Sequence, residues 1–156
     1  MELKKYQQKT LDELQKYILE MRKYATEKAA GVAFMIMRTD AQDNYPKDYH
    51  WISELGRSPF VCIKVPTGGG KTIIAAYSVG IVFKDYSGER NDKGLAMWFV
   101  PSDAIKTQTL NNLRDRKHPY REVLDRRFNN AVKVFDLSEA KAIKKDNLVN
   151  NICIVV

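Results

Sequence analysis

Over residues 3–25, Leu3, Tyr6, Leu11, Leu14, Tyr17, Ile18, Met21 and Ala25 recur at helical spacing with Lys, Gln and Glu between them. That period predicts an amphipathic helix. Gly31 reads as a break after it. Residues 38–58 are polar and irregular, punctuated by Pro46, Gly56 and, just beyond, Pro59. The pattern then changes to short apolar runs separated by polar, helix-forming stretches. "FVCIKV" (60–65) has the length and composition of a buried strand. A glycine-rich loop follows, and then the almost wholly apolar 72–83, which suits a helix packed on a sheet. Residues 85–94 form a polar turn region, and "LAMWFV" (95–100) predicts a second strand. Residues 102–115 read as a helix capped by Ser102 or Asp103. Pro119 opens another helix through Phe128. "AVKVFDL" (131–137) and "ICIVV" (152–156) predict a third and a fourth strand. Strands alternating with helices imply an α/β domain with a parallel sheet. The glycine loop is then expected at the carboxyl end of the first strand, where open α/β sheets bind ligands.

That loop, "VPTGGGKTIIAA" (65–76), carries the most specific chemistry in the chain. A polyphosphate presents dense negative charge, so a loop that cradles it must turn backbone N–H groups inward and keep side chains away. Glycine permits this curvature because it tolerates positive φ, and Gly68, Gly69 and Gly70 stand where it is needed. A helix starting near Lys71 adds the positive end of its dipole. In a phosphate loop of this type, Lys71 reaches the β- and γ-phosphates and Thr72 places its hydroxyl on Mg²⁺. The strict pattern G-x-x-x-x-G-K-[ST] asks for glycine at position 65, where the chain has Val65. The bland alternative is a glycine-rich turn that happens to precede Lys-Thr. An apolar run before the loop and an apolar helix after it weigh against that alternative.

Composition bounds the rest. The chain has 156 residues, 44% apolar and 29% charged, enough for a packed core and unlike a disordered or fibrous sequence. No apolar run approaches a membrane span, and the first ten residues do not read as a secretory signal. Cys62 and Cys153 both lie in apolar runs, which suggests two buried free thiols and a cytoplasmic location. His50 has no second His or Cys nearby, so a surface or packing role is the default. The net charge is +7, and residues 101–156 contribute most of the excess, with eleven basic groups against seven acidic. A polyanionic partner fits that sign, though many soluble domains are as basic. Arg114, Arg116, Lys117, Arg121, Arg126 and Arg127 form the densest basic cluster, diluted by Asp115, Glu122 and Asp125. A solvated helix face competes with a nucleic-acid contact there. His118 and Tyr120 could stack on bases, but an aromatic beside Pro119 is more often packing.

"PTGGGKT" resembles motif I of superfamily 2 helicases and translocases, whose version commonly lacks the first glycine. "LKKYQQKTLDEL" (3–14) resembles the family's N-terminal Q-type motif, and "VPSDAIKTQTLNNL" (100–113) resembles its motif Ia. Residues 97–128 narrow the resemblance to the type III restriction enzyme Res subunit and its DEAD/DEAH-box relatives, and it is weakest over 31–58. The resemblance implies a RecA-like phosphate-loop domain over 59–156, preceded by a helix and an irregular segment over 1–58. It implies ATP and Mg²⁺ held by Gln7, Pro66, Thr67, Gly68, Gly69, Gly70, Lys71 and Thr72. By that match Gln7 reads the adenine, with Gln8 the weaker candidate, and Lys71 serves catalysis. It also implies double-stranded DNA contacted along its backbone by Pro101, Ser102 and Gln108, and a methyltransferase partner in the full system. The arginine that often follows in motif Ia is Asp103 here. Independently of the family, the start of a helix at "PSDA" offers a phosphodiester Ser102 and exposed N–H groups.

In this family an adjacent Asp-Glu pair at the end of a later strand holds Mg²⁺ and orients the attacking water. No such pair ends a strand in this sequence. Asp136 follows an apolar strand but precedes Leu137, so it mimics that acid without its partner. The expectation is therefore the ATP-binding part of a DNA-dependent ATPase, inactive in hydrolysis on its own. A small-molecule phosphate-loop kinase and a non-catalytic nucleotide-binding module are the competing functions. The kinase leaves the Gln7 and motif Ia matches unexplained.

Overall fold

The computed structural model describes residues 2–24, 26–39, 48–55, 58–86 and 93–156. The chain divides into two compact units, Leu3–Gly69 and Gly70–Val156.

In the first unit, α1 (Lys5–Met21) buries Leu11, Leu14, Tyr17, Ile18 and Met21, the stripe expected from the period of the sequence. At its start the Lys4 N–H donates to Gln7 Oε1 at 2.9 Å, a one-way cap, since the Lys4 side chain has no acceptor to return it. The helix α2 (Ala29–Thr39) follows. Gly31 does not break it. A Cβ there would lie 2.7 Å from the Trp51 ring, so glycine lets the indole approach the helix. Tyr49 stands edge-on to Trp51 and to Phe34, at centroid distances of 4.7 and 5.7 Å. Tyr17 Oη donates to the Ala30 carbonyl across the two helices, and burial pushes its phenol pKa well above the usual range. A short 3₁₀ turn covers Ser53–Leu55. Most of the segment read as irregular, 40–47 and 56–57, lies outside the described residues.

The expected strand over 60–65 is not formed. Residues 60–65 are outside regular structure, and Phe60, Val61 and Cys62 are exposed, while Val65 is buried. A strand exists only through a hydrogen-bonded neighbour, and among the described residues none pairs with this run. The Phe60 N–H donates instead to Tyr49 Oη at 2.6 Å. Cys62 is therefore an exposed thiol rather than a buried one, while Cys153 is buried as expected.

The second unit holds the sheet. Three parallel strands, β1 (Gly94–Met97), β2 (Val132–Phe135) and β3 (Ile152–Val155), lie in the order β1-β3-β2. The register pairs Gly94 and Val132 with Ile152, and Met97 and Phe135 with Val155. Every residue of β3 is buried, which explains its unbroken apolar run. Helices α3 (Lys71–Ile81), α4 (Asp103–Arg114) and α5 (Pro119–Arg127) build the core with it: Ala76, Leu110, Leu113, Leu124 and Phe128 pack with Val132, Ile152, Ile154 and Val156. Beyond α3 the chain makes a π turn over Val82–Tyr86. The polar stretch that follows lies outside the described residues over 87–92. Between β2 and β3 stand a 3₁₀ turn, Leu137–Ala142, and a short helix, α6 (Lys145–Asn150), neither of which the apolar pattern predicts. The fold is thus α/β, with three parallel strands among the described residues where four were expected.

Candidate nucleotide site and motif Ia helix

The loop after Val65 has the backbone geometry that its glycines allow. Gly69 N–H donates to Pro66 O at 2.9 Å, closing a four-residue turn whose third residue, Gly68, has φ 73°. A positive φ at that position is the mark of a type II turn, and glycine meets it without steric cost. Gly69 is buried and cannot carry a side chain. A Cβ there would lie 2.6 Å from Val65 Cγ1 and 2.8 Å from Pro66 O. Gly70 is left-handed (φ 77°, ψ 42°) and caps α3, with no side chain bonding the first turn. The first N–H groups of α3 have no carbonyl one turn back within the helix. Lys71 and Thr72 occupy its first two positions, with Lys71 exposed and Thr72 half-buried. Pro66, Thr67 and Gly68 are exposed. Backbone donors, positive-φ glycines and a helix start are the features that suit a polyphosphate chain.

The first unit brings Gln7 to this loop across 62 residues of sequence: Gln7 Nε2 donates to Gly69 O at 3.0 Å. Gln7 is only 6% exposed. With Oε1 accepting from Lys4 and Nε2 donating to Gly69, its amide keeps one N–H and one lone pair for another ligand. Gln8 points elsewhere, its Nε2 bonding Asp12 at 2.8 Å in an exposed pair. Tyr6, read in the sequence as part of the apolar stripe and as the aromatic before Gln7 in the Q-type motif, donates from its hydroxyl to the same Gly69 carbonyl at 2.9 Å. Helical spacing carried no signal for that contact, because it joins positions 63 residues apart.

On the second unit, Pro101, Ser102 and Gln108 are all exposed. Ser102 is the N-cap of α4, and its Oγ accepts from Ile105 N–H at 3.4 Å. Half of the basic cluster that follows is committed to structure. Arg121 is 5% exposed, and its guanidinium donates to Asp125 Oδ1, Leu113 O and Val132 O at 2.8, 3.0 and 2.9 Å. Arg127 Nε donates to Gly80 O at 3.3 Å, and Arg114 pairs with Glu139. Arg116, Lys117 and Arg126 remain exposed. His118 Nδ1 caps α5 by accepting from Tyr120 N–H, with the two rings 4.4 Å apart, so both aromatics pack rather than present their faces.

Asp136 is likewise committed. Its Oδ1 accepts from the Ser138 hydroxyl at 2.6 Å and the Ser138 N–H at 2.8 Å, and Lys106 lies 3.2 Å from its other oxygen. The Ser138 bonds, assisted by Lys106, hold its pKa down to about 2. His50 stands edge-on to Phe60, 6.4 Å between ring centroids. Among the described residues no helix is long and apolar enough to cross a membrane.

No curated protein and no solved structure matches the chain. A family model described as "Type III restriction enzyme, res subunit" matches residues 1–155, a span that holds the Gln7 contact, the glycine loop and the α4 cap. The chain therefore belongs to the type III restriction enzyme res-subunit family, a family of helicase-like ATPase motors with a RecA-like phosphate-loop fold.

Proposed function

We propose that this chain is the ATP-binding part of a DNA-dependent ATPase of the restriction-translocase kind. One observation carries the nucleotide assignment: a glycine turn from Pro66 to Gly69 leads through left-handed Gly70 into a helix that begins Lys71-Thr72. In this function the N–H groups of the loop and of the first turn of α3 bind the β- and γ-phosphates. Lys71 neutralises them, and its place in catalysis is to hold charge that builds on the transferred phosphoryl group. Thr72 would hold Mg²⁺, which would offset the negative charge of the phosphates. Gln7 directs its remaining N–H and lone pair at the base.

Pro101, Ser102 and Gln108 are proposed as the DNA-backbone contacts, on the grounds of their exposure at the start and along one helix and the family to which the chain belongs. Arg116, Lys117 and Arg126 are the exposed cations that would add to them. A methyltransferase partner and a cytoplasmic setting belong to the same proposal, the latter supported by two free cysteines. Hydrolysis needs an acid pair, and none of the strands among the described residues ends in one. Asp136 is bound to Ser138 and Lys106 as a cap, which argues against it as the Mg²⁺ acid.

Calorimetric titration with Mg·ATP, run to millimolar ligand, tests the assignment. Weak saturable binding is expected, reduced about 10- to 100-fold by Lys71→Ala, the worth of a hydrogen bond to a charged group. Steady-state ATP turnover with DNA present is expected at background level. Turnover that Lys71→Ala removes would overturn the claim that the chain alone is inactive, and binding indifferent to Lys71 would overturn the site.

A further inference from the structure

Two donors from the first turn of α1 meet on one acceptor in the glycine loop. Tyr6 Oη lies 2.9 Å and Gln7 Nε2 3.0 Å from the Gly69 carbonyl oxygen, which has two lone pairs to receive them. The N–H of the same residue is held by Pro66 O at 2.9 Å. A trans peptide is planar, with its C=O and N–H pointing in opposite directions. Fixing the Gly69 carbonyl towards Tyr6 and Gln7 therefore turns the Gly70 N–H away from them.

We propose that Tyr6 is a positioning residue for the phosphate loop: its hydroxyl holds the Gly69 carbonyl and so sets the direction of the Gly70 N–H as a phosphate donor. The inference rests on the nucleotide-binding function given above. It divides labour between neighbours. Gln7 has an amide with a second task, at Lys4 and towards a base, and turning that amide would release Gly69. Tyr6 has a single donor and no base to read, so it keeps the carbonyl in place while Gln7 moves. Tyr6 is also 40% exposed, and Gln7 Nε2 still donates to the Gly69 carbonyl once the hydroxyl is gone. The hydroxyl can thus be removed without disturbing the packing.

The test titrates the 156-residue chain and its Tyr6→Phe variant with Mg·ATP and with inorganic tripolyphosphate, which offers the loop the same phosphates and no base. Thermal unfolding of both chains is measured alongside. The expected result is a loss of roughly 5- to 10-fold in affinity for both ligands alike, the scale of one hydrogen bond, with the unfolding midpoint unchanged. Unchanged affinities for both ligands would overturn the inference. So would a loss confined to ATP, which would put Tyr6 at the base, or a variant that unfolds at the titration temperature, which would make Tyr6 a support of the fold. Wild-type chain that binds neither ligand would instead overturn the nucleotide function on which the inference rests.

Discussion

Asp136 shows how a single carboxylate can imitate a catalytic acid and serve a cap. It follows the apolar strand β2 as a magnesium-binding acid would, yet both Ser138 donors and Lys106 already use its oxygens. Those partners hold its pKa at about 2, below the ordinary value of about 3.9 for an unfolded aspartate. A carboxyl with a depressed folded pKa adds stability above its unfolded pKa and loses that contribution as pH falls through the folded one. The expected window is therefore about pH 4 down to about pH 2. Asp136→Asn should remove the part of the pH dependence of unfolding that lies in this window. Denaturant unfolding at several acid pH values, with an NMR titration of the carboxyl, checks it. A normal aspartate titration would refute the capping role. Gly69 illustrates the opposite case, a residue with no side chain to titrate. Its place is fixed by the absence of room for a Cβ, and its backbone is held at both ends.

Among elements, the tie that matters most to the second unit is the guanidinium of Arg121. It closes the end of α4 at the Leu113 carbonyl, the start of β2 at the Val132 carbonyl and its own helix at Asp125. Its removal leaves a buried carboxylate without its cation. Arg121→Ala should therefore destabilise the chain by about 3–5 kcal/mol, measured by urea denaturation, far more than the same change at exposed Arg116. Equal effects of the two substitutions would show that the network is not buried in solution. Arg121 also marks a limit of the sequence as a guide. As one of six clustered cations it looked like a candidate for nucleic acid, and charge alone cannot tell a buried hub from a solvated face. The helices α1, α3, α4 and α5 were legible because apolar period and caps act locally, as at Ser102 and Pro119. The runs at 94–97, 132–135 and 152–155 were legible because a continuous apolar stretch suits a covered sheet. The run at 60–65 has the same composition but no partner strand among the described residues, and pairing is not a local property. Gly31 misled for a similar reason, since its use is the approach of Trp51 from 20 positions away. The short helix α6 lacks an apolar stripe long enough to register.

At the scale of the whole molecule, the two units carry different motifs of the sequence. Leu3–Gly69 carries Gln7 and the glycine turn, and Gly70–Val156 carries Lys71, Thr72 and the α4 cap. The turn and helix start of the glycine loop were readable from residues 65–76 because positive φ at glycine is a local property. The Tyr6 contact was not, because it depends on how α1 meets the loop. The net charge of +7 favours polyanions in general and does not choose between a nucleotide and a nucleic acid. The central claim is that the glycine loop and the start of α3 take the phosphates of ATP. An amide NMR titration of the isotope-labelled chain with Mg·ATP tests it most directly. The largest shifts are expected at the N–H groups of Gly68, Gly69, Gly70, Lys71 and Thr72, with tripolyphosphate reproducing them and adenosine alone leaving them in place. Saturable shifts that spare these five residues, or none at all at millimolar ligand, would contradict the proposed site.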